Sequence, residues 1–229
     1  STYKNGEKNG LFETYEFGFL AVKENYKEGK KEGLEERYHR SGKIISGINF
    51  KNGKRDGKYK SFFKEGSLAE KGQYKNGEKE GVWESFYQEG QLKLKQNFEN
   101  GHLEGCGEWF YCNGLISCRT NFKKGQQDGL NEVFDENGVL IKSENYTDSK
   151  RDGFSTLFSS CGELKERGNW SSGSRIGLFE YYCQGKLEQT LEWQDGKANE
   201  WRDGVKIASP IYHESDYDDK RFNDDDCPF

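Results

Sequence analysis

Along this chain short stretches alternate apolar and polar residues, as half-buried strands do, and glycine-bearing turns interrupt them. Val82 to Tyr87 shows the pattern, and every such stretch follows an aromatic residue and a turn. The aromatic anchors are Tyr3, Tyr26, Phe50, Tyr74, Phe98, Phe122, Tyr146, Trp170 and Trp193, spaced 23 or 24 residues apart. That regularity predicts one supersecondary unit repeated along almost the whole length. Two glycine series keep the same phase. Gly10, Gly33, Gly57, Gly81, Gly105, Gly129, Gly153 and Gly177 form one, and Gly18, Gly42, Gly66, Gly90, Gly114, Gly138, Gly162 and Gly185 the other.

Within the copy Tyr74–Asn97, Tyr-Lys-Asn-Gly reads as a turn, and Gln88-Glu89-Gly90 as a three-residue hairpin loop whose last position needs a positive φ. That loop predicts Phe86 opposite Leu92, Glu84 opposite Leu94 and Val82 opposite Gln96, with the apolar residues of both strands on one buried face. Leu34, Tyr38 and Ile44 would share that face, as would Leu130, Phe134 and Leu140, and Leu178, Tyr182 and Leu187. No copy shows helical periodicity. The expected fold is all-β, an elongated single-layer antiparallel β-meander of tandem hairpins with about 16 to 18 strands. The array would occupy residues 1–204 in about 8.5 repeats, with 193–207 a degenerate C-terminal cap where Glu200 replaces a glycine, and 205–229 an acidic tail.

Composition fits a thin layer. Only 31% of residues are hydrophobic and 33% are charged, yet 15% are aromatic, so the apolar surface is concentrated in rings. Of the net charge of −5, Val205–Phe229 carries −4, which leaves −1 for residues 1–204. This balance lacks the basic footprint of a nucleic-acid binder. No apolar run reaches the roughly 18 residues of a membrane span. Met is absent, so Ser1 reads as a processed or trimmed end. Removal of an export signal would place the chain in the periplasm or cell envelope, and truncation would leave the cytoplasm open. The cysteines lack C-x-x-C or Cys/His spacing, which argues against zinc, and no cofactor is expected. Cys106 takes a slot held elsewhere by Leu, Val or Phe and reads as a small buried hydrophobe.

Gly77, Gly81, Trp83, Phe86, Gly90 and Leu92 resemble the G-x-x-x-G-x-W-x-x-Y-x-x-G-x-L pattern of the MORN repeat in its bacterial variant form, a likeness extending over about residues 3–204. Departures are Ser149 in place of the first glycine, and Glu35, Gly107, Asn131 and Ser155 in place of the first strand aromatic. The resemblance implies an array of β-hairpins used as an interaction surface and not as a catalyst. Bacterial arrays of this type are similar to antitoxins or immunity partners, and eukaryotic relatives are associated with membranes, phosphoinositides or scaffolding.

Two surfaces are candidates for recognition. Glu13, Glu36, Glu84, Glu108, Glu132 and Glu180 recur in phase, a uniformity that reads as scaffolding through ion pairs or turn hydrogen bonds. The opposite face varies and becomes aromatic and basic in the middle, through Tyr59, Phe63, Trp83, Tyr87, Trp109 and Tyr111 with Lys71, Lys93, Lys95 and Arg119. Exposed rings among cations are typical partner anchors, although the same residues could cover the sheet's second side with Lys stems over rings. The tail adds Tyr217, Asp218, Asp219, Asp224, Asp225 and Asp226, an acidic segment able to meet a basic toxin or effector. His39, His102 and His213 fall at different phases, and no nucleophile–base order or phosphate loop is present, so no catalytic residue is expected. The reading is a protein-binding repeat protein of immunity or antitoxin type, with an envelope or membrane-associated scaffold for lipid headgroups or glycans as the alternative.

Overall fold

The computed structural model describes residues 2–202, 205–206 and 212–213. They form two compact units, one up to residue 105 and one from residue 106 on, each an antiparallel meander of hairpins. In the first unit the hairpins run through Glu7–Glu16 and Phe19–Lys27, Gly33–Tyr38 and Ile44–Lys51, Lys54–Phe62 and Leu68–Lys75, and Glu78–Phe86 and Leu92–Glu99. In the second, Gly105–Phe110 and Ile116–Lys123 precede Gln126–Phe134 with Leu140–Thr147, Gly153–Phe158 with Leu164–Ser171, and Ser174–Cys183 with Lys186–Gln194. The strand Lys197–Arg202 then pairs with Val205–Lys206 and Tyr212–His213. The described strand segments number 23 where about 16 to 18 were expected, partly because arms such as Lys30–Lys31 and Gly33–Tyr38 are interrupted.

Two kinds of turn alternate. The turn after each anchor has both central residues at positive φ, as in Asn76 at 53° and Gly77 at 101°, which is the two-residue geometry that matches strand twist. These turns are tied from copy to copy. The Gly77 N–H donates to the Arg55 carbonyl at 2.8 Å, and the Asn76 N–H donates to the Asp56 carboxylate at 3.1 Å. The same carboxylate contact recurs from Asn52 to Glu32 at 2.8 Å and from Asn100 to Glu80 at 3.1 Å. The other turn is the expected three-residue loop, with Gly90 at φ 96° and the Tyr87 N–H donating to the Gln91 carbonyl at 2.8 Å. The hairpins at Gly18 and Gly185 depart from it. They close in two residues, with Glu16 opposite Phe19 and Cys183 opposite Lys186.

The register differs from the simple hairpin. Phe86 does lie opposite Leu92, but a bulge follows, so Leu94 meets Ser85, Lys95 meets Glu84, Gln96 meets Trp83 and Asn97 meets Val82. A one-residue shift exchanges the faces of every residue beyond it. Burial is also reversed from the expectation. Val82, Leu34, Leu130 and Leu178 are exposed, whereas Trp83, Ile48, Trp109, Val133 and Phe179 are buried with the anchors Phe122, Trp170 and Trp193. Cys106 shares the exposed slot and is not a buried hydrophobe.

Candidate functional site

The buried side of each sheet is a face of rings. Tyr59 stacks on Trp83 at 5.4 Å between centroids, and Tyr74 meets Trp83 edge-on at 5.0 Å. The Trp83 indole N–H donates to the Gln73 carbonyl at 3.2 Å, so its polar atom is satisfied within the fold. The ring lies over Gly72, where a Cβ would stand 2.2 Å from it, and Phe179 lies over Gly168 in the same way, at 2.5 Å. Glycine at these two positions is what lets a ring rest on backbone. Where the first strand aromatic is missing, other groups fill its place. Ser155 accepts from the Trp170 indole N–H at 2.8 Å, Thr120 donates to Asn131, and the rings of Trp109 and Phe122 close over Gly107.

Cations roof this face. Five residues after six of the nine anchors stand Lys8, Lys31, Arg55, Lys79, Arg151 and Arg175, each over a ring. Lys79 lies 3.9 Å from the Trp83 centroid, and Arg175 sits among Trp170, Phe179 and Trp193. Buried carboxylates balance them: Lys31 pairs with Glu24 at 2.7 Å and with Glu35, and Arg151 pairs with Glu144 at 3.0 Å. Burial by itself would raise the Glu35 carboxyl, but hydrogen bonds and charge from Lys31 and Arg37 hold it below the ordinary value. Burial and the neighbouring Glu144 push the Tyr146 phenol up to about 12.

The opposite face is a ladder of ions. Lys71 pairs with Glu84 at 2.5 Å, Arg119 lies 3.7 Å from Glu108 and 4.0 Å from Glu132, and Arg167 pairs with Glu180. Phenols join the row, Tyr38 donating to Glu36 at 2.8 Å and Tyr182 to Glu180 at 2.7 Å. The recurrent glutamates thus serve ion pairs and hydrogen bonds within the sheet. Beside them run the exposed aliphatic positions, Leu11, Leu34 and Val82 in the first unit and Leu130, Phe154 and Leu178 in the second. Asparagines border this row and brace adjacent strands. Asn121 Nδ2 donates to the Leu130 carbonyl at 2.9 Å, and Asn145 Nδ2 to that of Phe154 at 3.0 Å.

The predicted site residues are therefore not brought together. Trp83 and Trp109 are 3% and 8% exposed, so the expectation that they lie open to a partner is corrected. Tyr59 is half-buried against Trp83 on the same ring face. Lys71, Lys95 and Arg119 project from the ladder face instead, because the bulge moves Lys95 across from Trp83's side to that of Glu84. Phe63, Tyr87 and Tyr111 open the three-residue loops, half-buried, with Lys93 lying 5.6 Å over Tyr87 and the Tyr111 hydroxyl donating to the Phe134 carbonyl at 2.8 Å. Tyr217, Asp218, Asp219, Asp224, Asp225 and Asp226 lie outside the described residues.

His39 shares a 2.9 Å hydrogen bond with Ser41 inside an exposed loop, and His102 is exposed at a turn. No group of three or more His, Cys, Asp or Glu among the described residues is placed to hold a metal. No helix among the described residues is long and apolar enough to cross a membrane. Sequence reasoning missed the cations over the rings and the asparagine braces. Both leave a readable signal: a basic residue five places after most anchors, and Asn immediately before Tyr26, Phe50, Phe98, Phe122, Tyr146 and Trp170.

Four segments, residues 31–52, 55–76, 79–100 and 127–148, match the MORN repeat variant. No curated protein matches the chain.

Proposed function

Because the chain carries MORN-variant repeats, we propose that it is a non-catalytic binding protein whose ladder faces, one in each unit, are surfaces for a protein partner. The observation that carries this reading is the exposed apolar side chains on the ladder side of each unit, Val82 in the first at 50% exposure and Phe154 and Leu178 in the second at 48% and 55%. A folded chain gains nothing by placing such side chains in water at the same phase of successive copies, whereas an interface core does. Lys71 and Lys95 in the first unit and Arg119 in the second stand beside these side chains as a polar rim, where charges set orientation and encounter rate more than affinity. Phe63 and Tyr87, at the loop ends of the first unit, extend the available surface there.

The partner class we favour is a toxin or effector with a basic surface, which makes the protein an immunity or antitoxin component acting by occlusion. The tail supports this choice, because seven acidic residues between Glu214 and Asp226 form a segment that a basic cleft would attract. Purification of untagged protein from its native cells tests the reading. A stoichiometric basic protein should accompany it, and Leu130→Glu with Leu178→Glu should release that protein while leaving the circular dichroism spectrum unchanged. Purification without a protein partner, together with flotation on anionic vesicles, would instead establish the membrane-associated alternative.

A further inference from the structure

The hairpin Glu7–Glu16 with Phe19–Lys27 ends differently from the one beside it. Tyr15 pairs with Leu20 across four intervening residues, whereas Tyr38 pairs with Ile44 across five. The shorter tip leaves a step against the neighbouring loop, and a pocket of 250 Å³ lies there, lined by Phe17, Phe19, Leu20, Ala21 and Tyr38 with Glu16 and Arg40 at its polar parts. An apolar cavity of about 150 Å³ suffices for a benzene ring. The pocket thus has room for a phenyl group.

A phenyl group stands next to it, in water. Phe17 is 99% exposed and holds φ at 51° as the first central residue of a two-residue turn. Asn occupies the equivalent place in the turns at Asn5, Asn52, Asn76 and Asn100, and it tolerates positive φ far better than a bulky aromatic does. Phe17 is therefore doubly unfavourable in an isolated chain, through its backbone and through its exposed ring. Strain of this kind at an exposed tip is a pointer to use.

We propose that Phe17 of one copy enters the pocket beside Phe17 of a second copy, and the reverse, closing a two-fold dimer. Knob and hole lie side by side on one patch, which is what an isologous contact requires. The rim is self-complementary as well. Glu16 and Arg40 are both exposed, and the two-fold arrangement sets the carboxylate of each copy against the guanidinium of the other. The half-exposed Phe19 supplies further apolar contact around the inserted ring. The patch is small, so the dimer is weak and concentration-dependent, at the low end of specific interfaces. This contact is independent of the partner-binding reading of the ladder face.

Sedimentation velocity of the full chain over a concentration series tests it. The wild-type protein should pass from monomer to dimer, and Phe17→Asn should weaken association at least about tenfold, the loss expected for an interface anchor. The same substitution should leave the melting temperature unchanged or higher, because Asn suits the turn. Ala21→Phe, which fills the pocket and keeps Phe17, should abolish association equally. Glu16→Arg and Arg40→Glu should each weaken the dimer, and the two together should restore it. A wild-type chain that stays monomeric at the highest concentration, or a dimer indifferent to Phe17→Asn or to Ala21→Phe, overturns the proposal.

Discussion

The two faces of each meander come from the same strands and even from adjacent residues, yet they spend their polar groups in opposite ways. On the ring face carboxylates are buried and cations roof aromatic rings: Lys79 lies over Trp83, Arg175 among three rings, and Glu35 is 3% exposed between Lys31 and Arg37. On the ladder face ions meet in reach of water, and the apolar side chains beside them stay uncovered. The comparison teaches that burial in this protein follows ring size and backbone access, and not the count of aliphatic residues. Rings need a flat seat, and Gly72 and Gly168 provide it.

The largest effect should come from removing a ring or its seat. Trp83→Ala should lower unfolding free energy by about 3–5 kcal/mol in urea titrations, as loss of a buried aromatic does. Gly72→Ala adds one methyl group 2.2 Å from the ring and should cost about 1–3 kcal/mol by overpacking. In the double variant the methyl meets the space left by the indole, so its separate cost should largely vanish. If the two costs simply add, the ring does not rest on Gly72 and the ring face is held by something else. Val82→Ala, one residue along but on the other side, should change stability by less than about 0.5 kcal/mol.

A middle-sized effect tests whether charge on the ring face differs from charge on the ladder. Glu35→Gln removes the carboxylate beside Arg37 and one of the two beside Lys31, which keeps Glu24, and because those cations are 59% and 30% exposed the loss is discounted to about 1–2 kcal/mol. The carboxyl of Glu35 is depressed in the folded state, so its contribution is fully present above the ordinary glutamate value of about 4.3. It is lost as pH falls through the lower folded value. Wild type and Glu35→Gln should therefore differ fully above the ordinary glutamate value, begin to converge in urea midpoint as pH falls below it, and meet below the depressed folded value. Divergence that persists into acid would mean that the side chain acts through its shape and not through its ionised state.

Period, turns and strand class were legible because each rests on a local rule. The paired positive-φ turns favour Asn, Asp or Gly, which fill most of their places, and the alternation of Val82 to Tyr87 admits a strand alone. The face was not legible. The side on which the second strand's residues fall depends on the bulge after Leu92, where the extra residue is Lys93, a lysine like any other on an exposed strand end. Without that residue Lys95 sits with Trp83, and an aromatic–basic patch appears that the folded chain divides between two sides and a loop edge. Burial misled in the same direction, because Leu34, Val82, Leu130 and Leu178 look like core residues when rings on the alternate positions are read as a surface. The basic residues five places beyond the anchors carried the missing information, since a cation recurring in phase with a ring marks a ring that is covered.

The smallest effect belongs to the ladder and decides whether the contrast between the faces is one of kind. Lys71 and Glu84 approach to 2.5 Å, but their side chains are 46% and 22% exposed, so water screens the pair and both chains lose rotamer freedom in making it. A double-mutant cycle through Lys71→Ala and Glu84→Ala should give a coupling of about 0.2–1 kcal/mol that fades in 1 M salt, where the Debye length falls to about 3 Å. Reversal of both charges should restore most of it. The same reversal inverts the rim beside Val82 and should weaken a partner seated on that face while the fold remains intact. A coupling of about 2 kcal/mol or more that survives salt would show that the ladder is dry in solution; the two faces would then be held in the same way, and the exposed row would have lost its claim to be the surface left open for recognition.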